Sequence, residues 1–410
     1  MHTELAAAHV HSSSAQRAKA IIGSCVHCGF CLATCPTYQL LGNELDSPRG
    51  RIYLIRQMLE GASPSRVTLT HLDRCLTCRA CETTCPSGVQ YGQLLDIGRD
   101  MLQARAVRNP RERLFRRALG ALLSRRTLFA ATLRAGQWLR PLLGRTLSAR
   151  IPARVGAGAA VPPPRHARRM ILLQGCVQPA LAPTINAAAA RVFDRLGLSL
   201  VTVKDETCCG ALSHHLGATE RALEQARRNV DAWTRHLDEG AEAILMSASG
   251  CGVMVKDYGE LLRHESRYAA HARRVSAATR DLCEVLSVAD VAAITGSGTA
   301  RRRARVAWQS PCTLQHGQKL TGRVEALLEA AGFALTPVRD PHLCCGSAGT
   351  YSILQRELSL RLRSAKLGTL LEGSPEFIAT ANIGCLQHLA VAADVPVRHW
   401  IELIDEASAA

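Results

Sequence analysis

The chain has 410 residues, 47% of them hydrophobic, with 17 cysteines and a formal net charge of +16. A chain of this length has room for roughly two to four domains, and this much apolar side chain excludes disorder over most of it. Its size also excludes a small secreted disulfide scaffold.

The first 20 residues lack the charged start and apolar core of a secretory signal. No run reaches the roughly 18 consecutive apolar residues of a membrane-spanning helix. A reducing cytoplasm is therefore the expected setting, where thiols bind metal or carry redox chemistry rather than pair as disulfides.

Cys25, Cys28, Cys31 and Cys35, followed by Pro36, read C-x2-C-x2-C-x3-C-P, and Cys75, Cys78, Cys81 and Cys85, followed by Pro86, repeat the pattern. This is the spacing of a bacterial-type two-cluster ferredoxin. Three closely spaced thiolates cap three irons of one cubane, and the fourth, carried away at a Cys-Pro corner, ligates the other. One [4Fe–4S] cluster is thus expected on Cys25, Cys28, Cys31 and Cys85, and the second on Cys75, Cys78, Cys81 and Cys35. Zinc ribbons would instead use two C-x2-C pairs separated by a longer loop. Between the motifs, RIYLIRQMLEG (51–61) is an apolar-periodic helix ending at Gly61, and Ser47–Pro48 suits a helix start. Residues 1–100 are expected to form a helical ferredoxin domain.

Residues 101–168 form an Arg-rich helical segment and linker. From 101 to 170 there are 16 Arg, no Lys and a single acid, Glu112. Such a stretch invites a nucleic-acid reading, but the rest of the chain supplies no basic face, so no nucleic-acid partner is expected. In RERLFRRALGALL (111–123), Leu114, Phe115, Ala118, Leu119, Leu122 and Leu123 fall on one helical arc and Arg113, Arg116 and Arg117 on the opposite one. That is the pattern of an interfacial helix. Thr127 to Leu143 is less cleanly amphipathic, although Phe129, Leu133 and Trp138 suit insertion. The rivals are docking to acidic partner subunits and a core helix with solvated arginines. VGAGAA (155–160), followed by PPPRHARR, reads as a linker.

The remaining cysteines form an internal repeat over 169–290 and 304–408. Cys176, Cys208, Cys209 and Cys251 are matched by Cys312, Cys344, Cys345 and Cys385. Both halves carry Cys-Cys-Gly, 32 positions after the first cysteine, and the halves are displaced by 136 residues at both landmarks. Strands are expected at 170–175, 198–203 and 243–251, and again at 305–310, 333–338 and 377–385. Helices are expected at 183–196 and 216–238, and at 317–331 and 350–372. The alternation implies a mostly parallel sheet in each half, with the cysteines at the strands' carboxyl ends, where open α/β sheets place ligands. Cys283, at a position where the second half has Ile401, reads as a buried small hydrophobe. His214 and His215 read as a polar helix start, and His388 stands three residues after Cys385. The chain has no G-x-G-x-x-G at a strand–helix junction and no P-loop. Without a flavin site it has no obvious group for taking a hydride, which points to an electron relay.

The chain resembles the iron–sulfur subunits of bacterial glycolate oxidase (glycolate dehydrogenase). The likeness is densest in CPTYQLLGNELDSPRGRIYLIRQMLEG (35–61) and HLDRCLTCRACETTCPSGVQYGQLLDIGR (71–99), and continues through CCGALSHHLG (208–217) and ANIGCLQHL (381–389). A ferredoxin domain followed by two cysteine-rich CCG domains is also shared with subunits of anaerobic glycerol-3-phosphate dehydrogenase, lactate-utilisation complexes and heterodisulfide reductase. The resemblance implies FAD-containing partner subunits that oxidise glycolate to glyoxylate, with D-lactate as a further substrate. It implies that this chain passes their electrons toward quinone or another membrane acceptor, peripherally on the inner face of the membrane, and does not oxidise substrate alone. The heterodisulfide-reductase CCG domain ends in C-x2-C, five cysteines for a non-cubane cluster. Here each group has four, which suits an additional iron–sulfur centre or tetrahedral zinc, or a thiol cluster without metal.

Overall fold

The structure, a computed structural model, describes residues 2–105, 108–144, 148, 151–156, 158–296 and 304–409. Parts of the Arg-rich segment, and position 157 of the VGAGAA linker, lie outside the described residues. The chain divides into two compact units. The first comprises Met1–Arg116, Ser310–Leu320 and Arg339–Thr369, and the second Arg117–Gln309, Thr321–Val338 and Leu370–Ala410.

The first unit is built from short helices: α1 Ser13–Gly23, α2 Phe30–Ala33, α3 Pro36–Leu41, α4 Pro48–Leu59, α5 Arg66–Asp73, α6 Ala80–Thr84 and α7 Tyr91–Ala104. The predicted 51–61 helix starts three residues earlier. Ser47 caps it, its Oγ accepting from Gly50 N at 3.0 Å, and Pro48 takes the first turn, where a missing N–H costs nothing. Gly50 is required because the start of α4 lies on the backbone of Glu44: a Cβ there would stand 2.0 Å from the Glu44 carbonyl oxygen. The apolar faces of α1, α4, α5 and α7 bury Ile22, Ile55, Leu59, Leu72, Leu94 and Leu95 in one core, each contributing about 1.5–3 kcal/mol by leaving water. A second core in this unit joins Leu76 to Cys312, Cys344, Tyr351, Leu358 and Leu362, with Leu40, Leu41 and Cys78 packed against it.

The second unit holds two four-stranded sheets. Strands β1 Arg168–Leu172, β2 Leu198–Val201, β3 Ile244–Met246 and β4 Thr279–Asp281 lie in the order β2-β1-β3-β4. Strands β5 Arg305–Gln309, β6 Ala334–Thr336, β7 Phe377–Thr380 and β8 Val397–His399 repeat it as β6-β5-β7-β8. Every pairing is parallel. Strands buried on both faces suit the apolar runs seen in the sequence. The expected strands at 243–251 and 377–385 stop early. Their Gly-Cys ends belong to the first turns of helices Ser249–Lys256 and Ile383–Ala390. The three-residue strands β4 and β8 escape the pattern because so short a run carries no readable periodicity. The predicted 317–331 helix is also shorter, at Arg323–Ala330. The two halves meet where β3, β7 and β8 end: Ser249 N donates to Ala381 O at 3.1 Å and His399 Nε2 to Ser247 O at 2.9 Å. Burial holds His399 neutral, its pKa down to about 4.

The basic segment forms α8 Pro110–Ser124 and α9 Arg126–Leu139. The predicted division of α8 into an apolar arc and an arginine arc does not hold. Arg116 is buried, donating to Asp73 Oδ2 at 2.8 Å and Glu112 Oε1 at 3.2 Å, and Leu119 is buried too. Asp73 attracts Arg108 as well, so this acid turns Arg116 inward and leaves Leu114 and Phe115 exposed. In α9, Arg126 donates to Gly175 O at 3.0 Å and Glu206 Oε1 at 3.1 Å, while Trp138 and Leu139 are exposed.

Candidate iron–sulfur centres

The two ferredoxin motifs share one backbone shape. His27 and Gly29 in the first loop, and Thr77 and Arg79 in the second, all have positive φ, between 54° and 84°. Three of the four have side chains, for which this conformation is costly. The bends wrap each loop around a central space. Short helices α2 and α6 then carry Cys31 and Cys81, and Pro36 opens α3 directly after Cys35.

One cavity is lined by Cys25, Cys28, Cys31, Cys81 and Cys85. A second is lined by Cys35, Cys75, Cys78 and Cys81. The fourth thiol of each motif therefore lines the cavity of the other motif, and Cys81 lies between the two. Among the described residues no three His, Cys, Asp or Glu close around a single ion; the thiols stand around larger spaces, as a cubane needs. Burial pushes the Cys31 thiol up to about 11, with Cys25 adding to it. It pushes Cys78 and Cys81 up further, helped for Cys78 by Cys312 and Cys75. Crowded buried thiols of this kind give up their protons to a bound metal centre rather than to water. The donor set, four thiols on each cavity in the exchanged arrangement, fits two [4Fe–4S] clusters. The two surroundings differ: Cys28 is exposed beside Val26 and Phe30, which are 68% and 60% exposed, whereas Cys35, Cys75 and Cys81 are buried.

Sequence reasoning missed a charged network behind the second cavity. Arg51 and Asp46 are 1% and 0% exposed. Arg51 Nε donates to His71 O at 2.7 Å, its NH2 to Thr37 Oγ1 at 3.0 Å, and its NH1 lies 4.0 Å from Cys35 Sγ. Asp46 Oδ1 accepts from His71 Nδ1 at 2.9 Å and Oδ2 from Arg74 NH1 at 3.0 Å. Burial works against the Arg51 cation, but the negative charge of Cys75, Cys35 and Asp46 raises its pKa above the ordinary guanidinium range. Tyr91, kept a neutral phenol by burial, donates toward Cys75 Sγ at 3.7 Å. The available signal was charge inside an apolar-periodic helix: Arg51 occupies a core position of α4.

In the first CCG half, Cys176 follows β1, Cys208 and Cys209 follow β2, and Cys251 opens the helix after β3. Hydrogen bonds link Cys176 to Cys208, Cys208 to Cys209 and Cys209 to Cys251. Bonds from Cys176 and Cys209 hold the Cys208 thiol well below its usual range and push both neighbours up. Tyr258 Oη donates to Cys209 O at 2.8 Å and Asn229 Nδ2 to Cys208 O at 3.2 Å, which fixes the Cys-Cys turn from behind. The glycine that follows is obligatory in both halves. Gly210 and Gly346 have φ of +92° and +87°, and a Cβ on Gly346 would stand 2.6 Å from Ser359 O. In the second half, Cys312, Cys344 and Cys345 belong to the first unit and Cys385 to the second. Cys312 and Cys344 share a hydrogen bond, as do Cys344 and Cys345. Asn382 Nδ2 lies 3.6 Å from Cys385 Sγ.

Around Cys312 the contacts reach the ferredoxin loops. Tyr351 Oη donates to Arg74 O at 3.1 Å. Thr83 Oγ1 lies 3.0 Å from His316 Nδ1, and His316 Nε2 lies 3.0 Å from His342 O. A carbonyl only accepts, so Nε2 carries the hydrogen, and burial keeps the ring neutral with Nδ1 free to accept from Thr83. Cys283 is buried, capped by Asp281, and stands apart from this chemistry. His214 and His215 lie in the short helix after Cys-Cys-Gly, and His388 one turn along the helix from Cys385.

Paired thiol-lined cavities and two duplicated parallel sheets define an iron–sulfur protein. Residues 21–89 match the 4Fe-4S dicluster domain, and 170–256 and 306–390 each match the cysteine-rich domain. The chain is 50% identical over 407 residues to the glycolate oxidase iron–sulfur subunit of Escherichia coli (strain K12), covering 99% of both chains. It is 29% identical over 391 residues to a probable glycolate oxidase iron–sulfur subunit of Bacillus subtilis (strain 168), covering 88% of this chain and 87% of the relative. Lactate utilization protein A of an Exiguobacterium strain is 24% identical over 245 residues, 56% of this chain and 94% of that one. The chain belongs to the family of glycolate oxidase iron–sulfur subunits, which are subunits of an oxidoreductase, and its dicluster domain is of the two-[4Fe–4S] type.

Proposed function

We propose that this chain is the electron-transfer subunit of a complex that oxidises glycolate to glyoxylate, and D-lactate as a further substrate. It takes electrons from FAD-containing partner subunits and delivers them toward membrane quinone. One observation carries the relay: Cys78, a lining residue of the second cavity, packs in one core with Cys312 and Cys344. The second ferredoxin set and the Cys312 and Cys344 thiols therefore share one core within the first unit. Cys25, Cys28, Cys31 and Cys85 hold one cluster, and Cys75, Cys78, Cys81 and Cys35 the other. Bound [4Fe–4S] clusters supply one-electron transfer. The chain supplies the thiolates, buries Cys35, Cys75 and Cys81 at the second site and places Cys312 and Cys344 beside Cys78. The CCG quartets would hold an additional iron–sulfur centre or zinc.

The test is dye reduction by glycolate. The purified chain alone is expected to show no turnover, and addition of the flavoprotein subunits to restore it, because hydride removal needs a flavin that this chain has no motif to bind. Turnover by this chain alone would refute the relay.

Delivery to quinone calls for contact with the bilayer. Among the described residues no helix is long and apolar enough to cross a membrane. Leu114 and Phe115 are 69% and 52% exposed on α8, between the exposed Arg111 and Arg117. Apolar side chains flanked by cations suit an anionic lipid surface, at roughly 1 kcal/mol per basic residue. Arg111→Gln with Arg117→Gln is expected to weaken binding to anionic vesicles by about thirtyfold at low salt. Sedimentation that is indifferent to lipid charge, or to this double change, would remove α8 from the membrane contact.

A further inference from the structure

Two of the arginines of helix α4, Arg49 and Arg51, lie one at each ferredoxin cavity, and their surroundings are opposite. Arg49 lies at the first cavity, its NH1 3.4 Å from His27 O and its Nε donating to Glu44 Oε1 at 2.7 Å. Its side chain is 33% exposed, so water and Glu44 screen it. Arg51 lines the second cavity and is sealed from solvent. Its nearest carboxylate, Asp46, is shared: one oxygen meets His71 at 2.9 Å and Arg51 at 3.5 Å, and the other meets Arg74 at 3.0 Å. One acid facing two arginines leaves the network cationic. The NH1 group of Arg51 is the part that reaches toward Cys35 Sγ.

A buried charge acts on its neighbours several times more strongly than an exposed one at the same distance. Reduction of an iron–sulfur centre adds negative charge that spreads onto its thiolate ligands, so hydrogen bonds to sulfur and nearby cations favour the reduced form. We infer that Arg51 is a positioning residue that sets the centre held through Cys35 and Cys75 at the higher reduction potential of the two. The hydroxyl of Tyr91, aimed at Cys75 Sγ, acts in the same direction. The site of higher potential is then the one that packs beside Cys312 and Cys344, which gives a single electron its direction within the domain. This inference rests on the ligand sets proposed above.

The experiment is an EPR-monitored redox titration of the full chain with both clusters loaded. Arg51→Met is expected to lower one midpoint by at least a tenfold change in the equilibrium, about 59 mV for a one-electron couple, and to leave the other in place. The shifted signal is expected to be the one that Cys35→Ser alters. Arg49→Gln is expected to move the other signal, and by less. An Arg51→Met protein with both midpoints unchanged, or both shifted equally, would overturn the inference. Should that variant fail to load, Arg51→Lys keeps the charge but loses the paired hydrogen bonds. It is expected to load and to lower the same midpoint by less than tenfold; a midpoint at or above the wild-type value would overturn the inference. Failure of the ligand sets reads differently: Cys35→Ser would then alter the signal that Cys25→Ser alters, whatever Arg51 does.

Discussion

Cys35→Ala is expected to abolish the cluster whose other ligands begin at Cys75 and to spare the one that begins at Cys25, and Cys85→Ala to do the reverse. Sequence proximity argues the opposite, since Cys35 lies four residues from Cys31 and 40 from Cys75. The corner after it decides the matter. Pro36 starts α3, and the Cys35 side chain lines the second cavity with Cys75 and Cys78. Cys85 ends α6 and lines the first cavity with Cys25 and Cys28. A cubane that loses one of four thiolates loses its iron or converts to a smaller centre. Iron content should fall by about four per chain in either single variant. The spectra sort the pairs: Cys25→Ala and Cys85→Ala should remove one and the same EPR signal, and Cys75→Ala and Cys35→Ala the other. Loss of a common signal in Cys25→Ala and Cys35→Ala would mean that each motif closes on itself.

The duplicated CCG halves are expected to respond unequally. Cys344→Ser should change the EPR signal or midpoint of the cluster that includes Cys78, and lower quinone reduction by the assembled complex on the order of tenfold or more, a barrier change of about 1.4 kcal/mol. Cys208→Ser should leave both ferredoxin signals as they are. Cys344 and Cys312 share a buried core with Leu76 and Cys78, whereas Cys176, Cys208, Cys209 and Cys251 all belong to the second unit. The folds of the halves are equivalent, with the same strand order in each sheet, so inequality would reflect surroundings rather than architecture. Serine is close to cysteine in size, so the second core should survive the change. Equal spectra and equal activities in the two variants would contradict the division of roles.

What the sequence determined by itself was everything that depends on spacing along a short stretch of chain. Four cysteines within eleven residues, twice, dictate loops that wrap a cluster, because ligand spacing and loop shape are the same constraint. The repeated Cys-Cys-Gly carries its own backbone requirement, a glycine at positive φ. The apolar runs of β1 and β5 announced buried parallel strands, and Ser47–Pro48 announced the start of α4. Tertiary structure decided which side chains those elements bury and against what. Arg116 reads as a helix-surface charge until Asp73, 43 positions away in sequence, turns it inward, and Arg51 is held inside by Thr37 and the His71 carbonyl, 14 and 20 positions away. The meeting of Thr83 with His316 spans 233 positions, and that of Tyr351 with Arg74 spans 277. No periodicity encodes such pairs, because the energy of burying a charge or packing a thiol depends on atoms that arrive from other segments only when the chain has folded.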